Sequence, residues 1–107
     1  MVYIGNAFSL QMIDTDTTHN VTIKPLTIPE VDTILYDREF ISCIGHPDTA
    51  SVVDSMLEKT IPCNRVSVKL TEDDVLIVAQ LVGGRLPEGA TRVPEGFELK
   101  FLHVSLK

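Results

Sequence analysis

The stretch Val75–Val82 (VLIVAQLV) constrains this chain most. Seven of its eight residues are apolar, it is rich in β-branched side chains, and it lies between a polar turn and Gly83-Gly84. A run of that length is far too short to span a bilayer. With one polar residue, Gln80, it reads as a strand buried on both faces, at the centre of a sheet whose two sides are covered. Glu98 to Leu106 reads as the last strand. Val66, Val68 and Leu70 alternate with Ser67 and Lys69, a half-buried strand. The tight polar link Thr71 to Asp74 between it and the central strand implies an antiparallel pair, and hence a mixed sheet.

The opening residues Met1 to Phe8 read as a short strand stopped by Gly5-Asn6, followed by a turn of helix at Ser9 to Ile13. A polar loop, Asp14 to Asn20, leads to Val21 and Ile23. Pro25 places this strand near an edge, because proline cannot donate to a ladder. Pro29 fits the first turn of a helix carrying Val31, Ile34 and Leu35. Arg38 to Ile44 reads as another short helix ending at Gly45. The clearest helix follows Pro47, with Asp48 as its N-cap and Val52, Val53, Met56 and Leu57 as its apolar stripe. Pro62 bars its continuation. Arg85 to Gly96 holds two prolines and two glycines and reads as a long loop. At 107 residues the chain has room for one domain with one core. The expectation is an α/β (α+β) domain over residues 1–107, with a mixed four- to five-stranded sheet flanked by short helices.

Charge and cysteine narrow the function. The net charge is −6. That argues against a protein that coats duplex DNA, which needs a basic face. The charge is uneven: residues 1–64 carry three basic and nine acidic side chains, and residues 65–107 carry six of each, including three of the four arginines. A small anion held by a few local positive groups is compatible with that distribution. Cys43 and Cys63 have neither CxxC spacing nor a histidine cluster, so no zinc or redox motif is indicated, and both read as free buried thiols. No charged-then-apolar leader opens the chain, and no membrane segment is expected.

Four features could carry chemistry. His46 lies between Gly45 and a helix start, next to unpaired amides that suit a phosphate, and could give a proton to a leaving oxygen. The competing reading of GHPD is a plain turn, which the local residues favour. Arg85 and Glu88 stand in GGRLPEG, a loop leaving the central strand; Arg can clamp a phosphate and Glu can orient a hydroxyl or take its proton. A solvated turn is the alternative. Asn6 and Ser9 can bond bases or phosphates, or cap the first helix. Asn64-Arg65 precedes a strand, where an arginine is usually a surface ion pair. His19 and His103 look incidental, and Glu72-Asp73-Asp74 reads as a solvated turn rather than a metal site.

Together these features occur in an order that resembles a known family. Asn6-Ala7-Phe8-Ser9 after an opening strand, then Ile44-Gly45-His46, Asn64-Arg65-Val66, Gln80 and Arg85-Leu86-x-Glu88-Gly89 are similar to the small ring nucleases that archaeal viruses and bacteriophages use as type III anti-CRISPR proteins, with cellular relatives. The resemblance covers essentially the whole chain. It implies a twofold homodimer, working without metal or other cofactor in the cytoplasm (the host's, if viral), that cuts the second messenger cyclic tetra-adenylate into linear di-adenylate with a cyclic phosphate end. On it, His46 matches the general acid, and Arg85 and Glu88 match the pair near the scissile phosphate. Asn6, Ser9, Arg65 and Gln80 match ligand contacts, Gln11 falls where some relatives have asparagine, and Thr49 is a further phosphate contact. The Gly83-Gly84 hinge and the loop to Gly96 would close over the ring. The viral members have a helix after that loop, where this chain has ATRVPEG. The other readings are a non-catalytic sponge or sensor for cyclic oligonucleotides, against which His46, Arg85 and Glu88 together argue, and a small viral nucleic-acid-binding regulator, against which the acidic surface and the lack of a recognition helix argue.

Overall fold

The computed structural model describes residues 1–36 and 38–107. Five strands are formed: β1 (Val2–Gly5), β2 (Val21–Leu26), β3 (Phe40–Ser42), β4 (Val75–Val82) and β5 (Glu98–Leu106). Two α-helices accompany them, α1 (Ile28–Leu35) and α2 (Pro47–Leu57), with a 3-10 turn at Leu10–Met12. The strand order is β2-β5-β4-β1-β3. β4 is the middle strand, as its composition predicts, and the proline-bearing β2 is at an edge.

The sheet is mixed, but not for the reason the sequence suggests. Parallel pairing joins β1 to β3 and to β4, whereas β5 runs antiparallel to both β4 and β2. The expected strand over Val66 to Leu70 is absent. Its alternation is real as burial, since Val68 and Leu70 are buried and Val66 is exposed. The segment packs through those side chains against the underside of the sheet, tied by the Leu70 amide to the Met12 carbonyl at 2.7 Å. Period-2 burial needs only an extended chain on an apolar surface; a ladder also needs an unpaired edge. The expected helix over Arg38 to Ile44 is also absent. Phe40, Ile41 and Ser42 form β3, because a short apolar run fits either period and β1 offers a free edge.

Both faces of the sheet are covered. On one side α1 and α2 pack Val31, Leu35, Val53 and Leu57 against Val2, Ile4, Ile77, Ala79 and Phe101. On the other, Ile13, Val68 and Leu70 cover Leu76, Val78, Val104 and Leu106. Ile4, Ile77 and Val53 have no exposed surface, and burial of each such side chain contributes about 1.5–3 kcal/mol. Thr27 and Glu30 form a capping box at the start of α1, with the Thr27 amide donating to Glu30 Oε1 at 2.9 Å and the Glu30 amide to Thr27 Oγ1 at 3.3 Å. α2 is stopped at Glu58, which takes a left-handed conformation at φ 52°.

Two further expectations are corrected. Asp48 is not the N-cap of α2; His46 occupies that position and Asp48 lies in the first turn. Pro47 sets the start, since its fixed φ and missing amide hydrogen suit the first helical position. Of the two free cysteines, only Cys43 is buried, and Cys63 is exposed.

Candidate functional site at the carboxyl ends of the parallel strands

The topology creates a crevice. The chain lays β3 on one side of β1 and then, through α2, β4 on the other. All three parallel strands therefore deliver their carboxyl ends to the same rim, where open α/β sheets place their ligands. β1 leads into Asn6, β3 into Gly45-His46, and β4 into the loop of residues 83–96.

The crevice is built around Gly45. Asn6 Oδ1 accepts the Gly45 amide at 3.4 Å, and Arg65 Nη2 donates to the Gly45 carbonyl at 3.3 Å. The arginine lies across the glycine: a Cβ there would stand 3.5 Å from Arg65 Nε and 3.7 Å from its Cγ. Asn64 fixes the segment from below, its amide donating to the Ile44 carbonyl and its Nδ2 to the Ser42 carbonyl, both at 2.8 Å. Ser42, buried at 3% exposure, donates its hydroxyl to the Pro62 carbonyl. Only one of the guanidinium donors is used on Gly45, so the exposed remainder of the fork can face an anion.

His46 is the next residue. Its carbonyl accepts the Ala50 amide at 3.0 Å, the first bond of α2, while its exposed imidazole makes no capping bond. With proline at position 47, the first-turn amides of Asp48 and Thr49 have no acceptor within the helix and lie at the positive end of its dipole. Asn6, His46, Thr49 and Arg65 are thus drawn together by β1, β3 and the start of α2.

The loop after β4 is joined to the same rim at one point. The Gly89 amide donates to Asp48 Oδ1 at 3.1 Å, across 41 residues of sequence. Arg85 and Glu88, both exposed, precede that contact. The expected Gly83-Gly84 hinge is half right. Both glycines have positive φ, but Gly83 is wedged: a Cβ there would meet Phe97 Cα at 3.0 Å and the Gly96 carbonyl at 3.1 Å. The stems of the loop are closed on each other, and freedom remains only beyond them. No helix is formed between β4 and β5.

The other anticipated contacts stand apart. Ser9 accepts the Gln11 amide at 3.2 Å and caps the 3-10 turn. With Gln11, Met12 and residues Val66 to Lys69 it lines a separate groove of about 460 Å³. Gln80 does not lie in a doubly buried stretch: the buried part of β4 ends at Ala79, and Gln80 is exposed beside Lys100 of β5. Asp48 is the residue that sequence reasoning misplaced, since an acid after proline at a helix start looks like a cap. Among the described residues no three His, Cys, Asp or Glu side chains converge on a point that could hold a metal.

Comparison with known proteins places this arrangement in a family. The STIV B116-like family model matches residues 2–103. The chain belongs to the STIV B116-like family. B116 of Sulfolobus turreted icosahedral virus has the same fold, with a TM-score of 0.76 and 27% identity over 97% of both chains. Uncharacterized protein 26 of Sulfolobus islandicus filamentous virus (isolate Iceland/Hveragerdi) is 33% identical over 89 residues, which are 83% of this chain and 74% of that protein. These B116-like relatives are viral proteins. The match at 97% coverage means the five-stranded mixed sheet is a fold shared with B116 rather than a peculiarity of this sequence. Among the described residues no helix is long and apolar enough to cross a membrane.

Proposed function

We propose that this chain is a ring nuclease. It binds cyclic tetra-adenylate and cuts it into linear di-adenylate with 2′,3′-cyclic phosphate ends, silencing type III CRISPR signalling. The observation that carries this reading is the cluster at Gly45, where a histidine at a helix N-cap stands next to an arginine and an asparagine both bonded to the preceding residue. A phosphodiester cut by its own ribose needs a donor for the leaving oxygen and positive charge for the phosphate. The 2′-oxygen forms a bond to the adjacent phosphorus as the bond from phosphorus to the 5′-oxygen breaks. His46 gives its proton to that 5′-oxygen. Glu88 takes the proton of the attacking hydroxyl. Arg65, Arg85 and the Asp48 and Thr49 amides hold the charge that builds on the phosphate oxygens. Asn6 contacts the rest of the ligand from the same cluster, whereas Ser9 and Gln11 would reach it only from their neighbouring groove and Gln80 only from the exposed end of β4.

The ring has twofold symmetry, so a twofold homodimer would meet it with the same patch from each protomer and cut it twice. The acidic remainder of the surface disfavours long RNA, whereas four phosphates need only a small positive pocket. The test is His46→Ala. Binding of cyclic tetra-adenylate should persist while cleavage falls by about 10²–10⁴. Unchanged turnover in that variant removes His46 from the chemistry.

A further inference from the structure

We propose that Asp48 is a positioning residue: its carboxylate latches the loop of residues 83–96 onto the first turn of α2 and so holds Arg85 and Glu88 beside His46. The function part of this rests on the ring-nuclease reading; the latch itself does not. Three observations carry it. The Gly89 amide donates to Asp48 Oδ1 at 3.1 Å, a contact between segments far apart in sequence. Asp48 is spared the capping role its position suggests, because His46 is the N-cap and its backbone makes the first helical bond. The loop also needs a tether beyond its stems. Gly83 is packed against Gly96 and Phe97, whereas neither Gly89 nor Gly96 has any atom within 4 Å of where a Cβ would stand. The Ala90 amide bonds within the loop, to the Pro87 carbonyl at 3.1 Å, which does not tie the loop to the rest of the fold, and segments held by few contacts open easily unless a specific bond closes them.

The chemistry of the bond fits a latch. A backbone amide donating to an ionised carboxylate is a charge-assisted bond, stronger than one to a neutral acceptor. Gly89 has φ 77°, a conformation that favours glycine, so the chain is turned there to bring its amide to the acceptor. Glu88 is the residue before the bonded amide. Its backbone cannot move far while the bond persists. Misplacing a catalytic group by about 1 Å can cost on the order of a hundredfold in rate.

The test uses the native protein and two variants. Asp48→Ala removes the acceptor. Asp48→Asn keeps an acceptor oxygen at the same place and removes only the charge, so it shares with Asp48→Ala any electrostatic effect on the helix start. Amide hydrogen exchange of residues 85–92 should be fastest in Asp48→Ala and intermediate between that and the native rate in Asp48→Asn, which keeps the acceptor but loses the charge assistance. Turnover of cyclic tetra-adenylate should fall at least about tenfold in Asp48→Ala, with the dissociation constant changed less than turnover, and Asp48→Asn should recover most of it. Equal exchange in all three proteins overturns the latch. Faster exchange with unchanged turnover overturns the positioning role. If the native protein does not cut the ring, the ring-nuclease reading fails, and the exchange comparison alone still decides whether the latch exists.

Discussion

Gly5→Ala tests how the core sets the rim. Gly5 ends β1 directly before Asn6, and a Cβ built on it would lie 2.8 Å from Cys43 Sγ and 3.5 Å from Leu76 Cδ1. Neither neighbour can swing away, since Cys43 is 9% and Leu76 0% exposed. To restore ordinary contact, at 3.4 Å or more, the ends of β1 and β3 must part by about 0.6 Å. The Cys43 amide donates to the Ile4 carbonyl at 2.8 Å, so that separation stretches a ladder bond as well. Overpacking of this kind costs about 1–3 kcal/mol, and replacing glycine by alanine inside a strand returns roughly 0.5–1 kcal/mol. A net loss of about 1–2 kcal/mol is expected, or a Tm lowered by roughly 4–8 °C for a chain of this size. Urea unfolding of native protein, Gly5→Ala, Cys43→Ala and the double variant gives the pairwise term. Removing Sγ should let the new methyl fit, so the double variant should be more stable than the sum of the singles by on the order of 1 kcal/mol. Because the Asn6 bond to the Gly45 amide spans the same junction, the double variant should also regain ring cleavage lost in Gly5→Ala. A Gly5→Ala protein as stable as the native one, or strictly additive singles, refutes the contact as the reason for glycine.

Other outcomes test separate parts of the account. Arg65→Ala should weaken binding of cyclic tetra-adenylate by about 10- to 100-fold, the worth of one charged hydrogen bond, with Arg65→Lys in between, as read by calorimetry. Short treatment with iodoacetamide should alkylate Cys63 first and leave Cys43 unmodified in a mass spectrum, because Cys63 is exposed whereas burial pushes the Cys43 thiol pKa up. Burial, and then the nearby Lys24 cation, hold the His103 pKa below the usual histidine value. The unfolded chain therefore binds the proton first as pH falls, and stability should drop from about pH 7 downward until the folded-state pKa is reached. His103→Gln should flatten that part of the urea midpoint-against-pH curve, and an identical curve contradicts the assignment.

Much of the fold was legible where one period had no rival. The apolar β4 and the long alternation of β5 leave little choice, and α1 and α2 carry helical stripes with proline at their starts. The sequence failed where the pattern underdetermines pairing. Phe40 to Ser42 is too short to choose its own period, and Val66 to Leu70 shows a strand's alternation but lies across the face of the sheet and pairs with neither edge. The site divides similarly. His46 at a helix start, and an arginine and a glutamate in a glycine-rich loop, can be named from residue type. What joins them cannot, because Gly45 meets Asn6 across 39 residues and Asp48 meets Gly89 across 41. Capping preference misassigned Asp48 for that reason: local propensity sees the helix start and not the loop that crosses it.

The central claim is that the Gly45–His46 rim cuts a cyclic oligoadenylate. The direct measurement incubates purified protein with cyclic tri-, tetra- and hexa-adenylate, with and without EDTA, and separates the products by chromatography. The account predicts that tetra-adenylate alone is converted to linear di-adenylate with a cyclic phosphate end, equally fast with the chelator present. Intact tetra-adenylate after prolonged incubation, or cleavage abolished by EDTA, would contradict it.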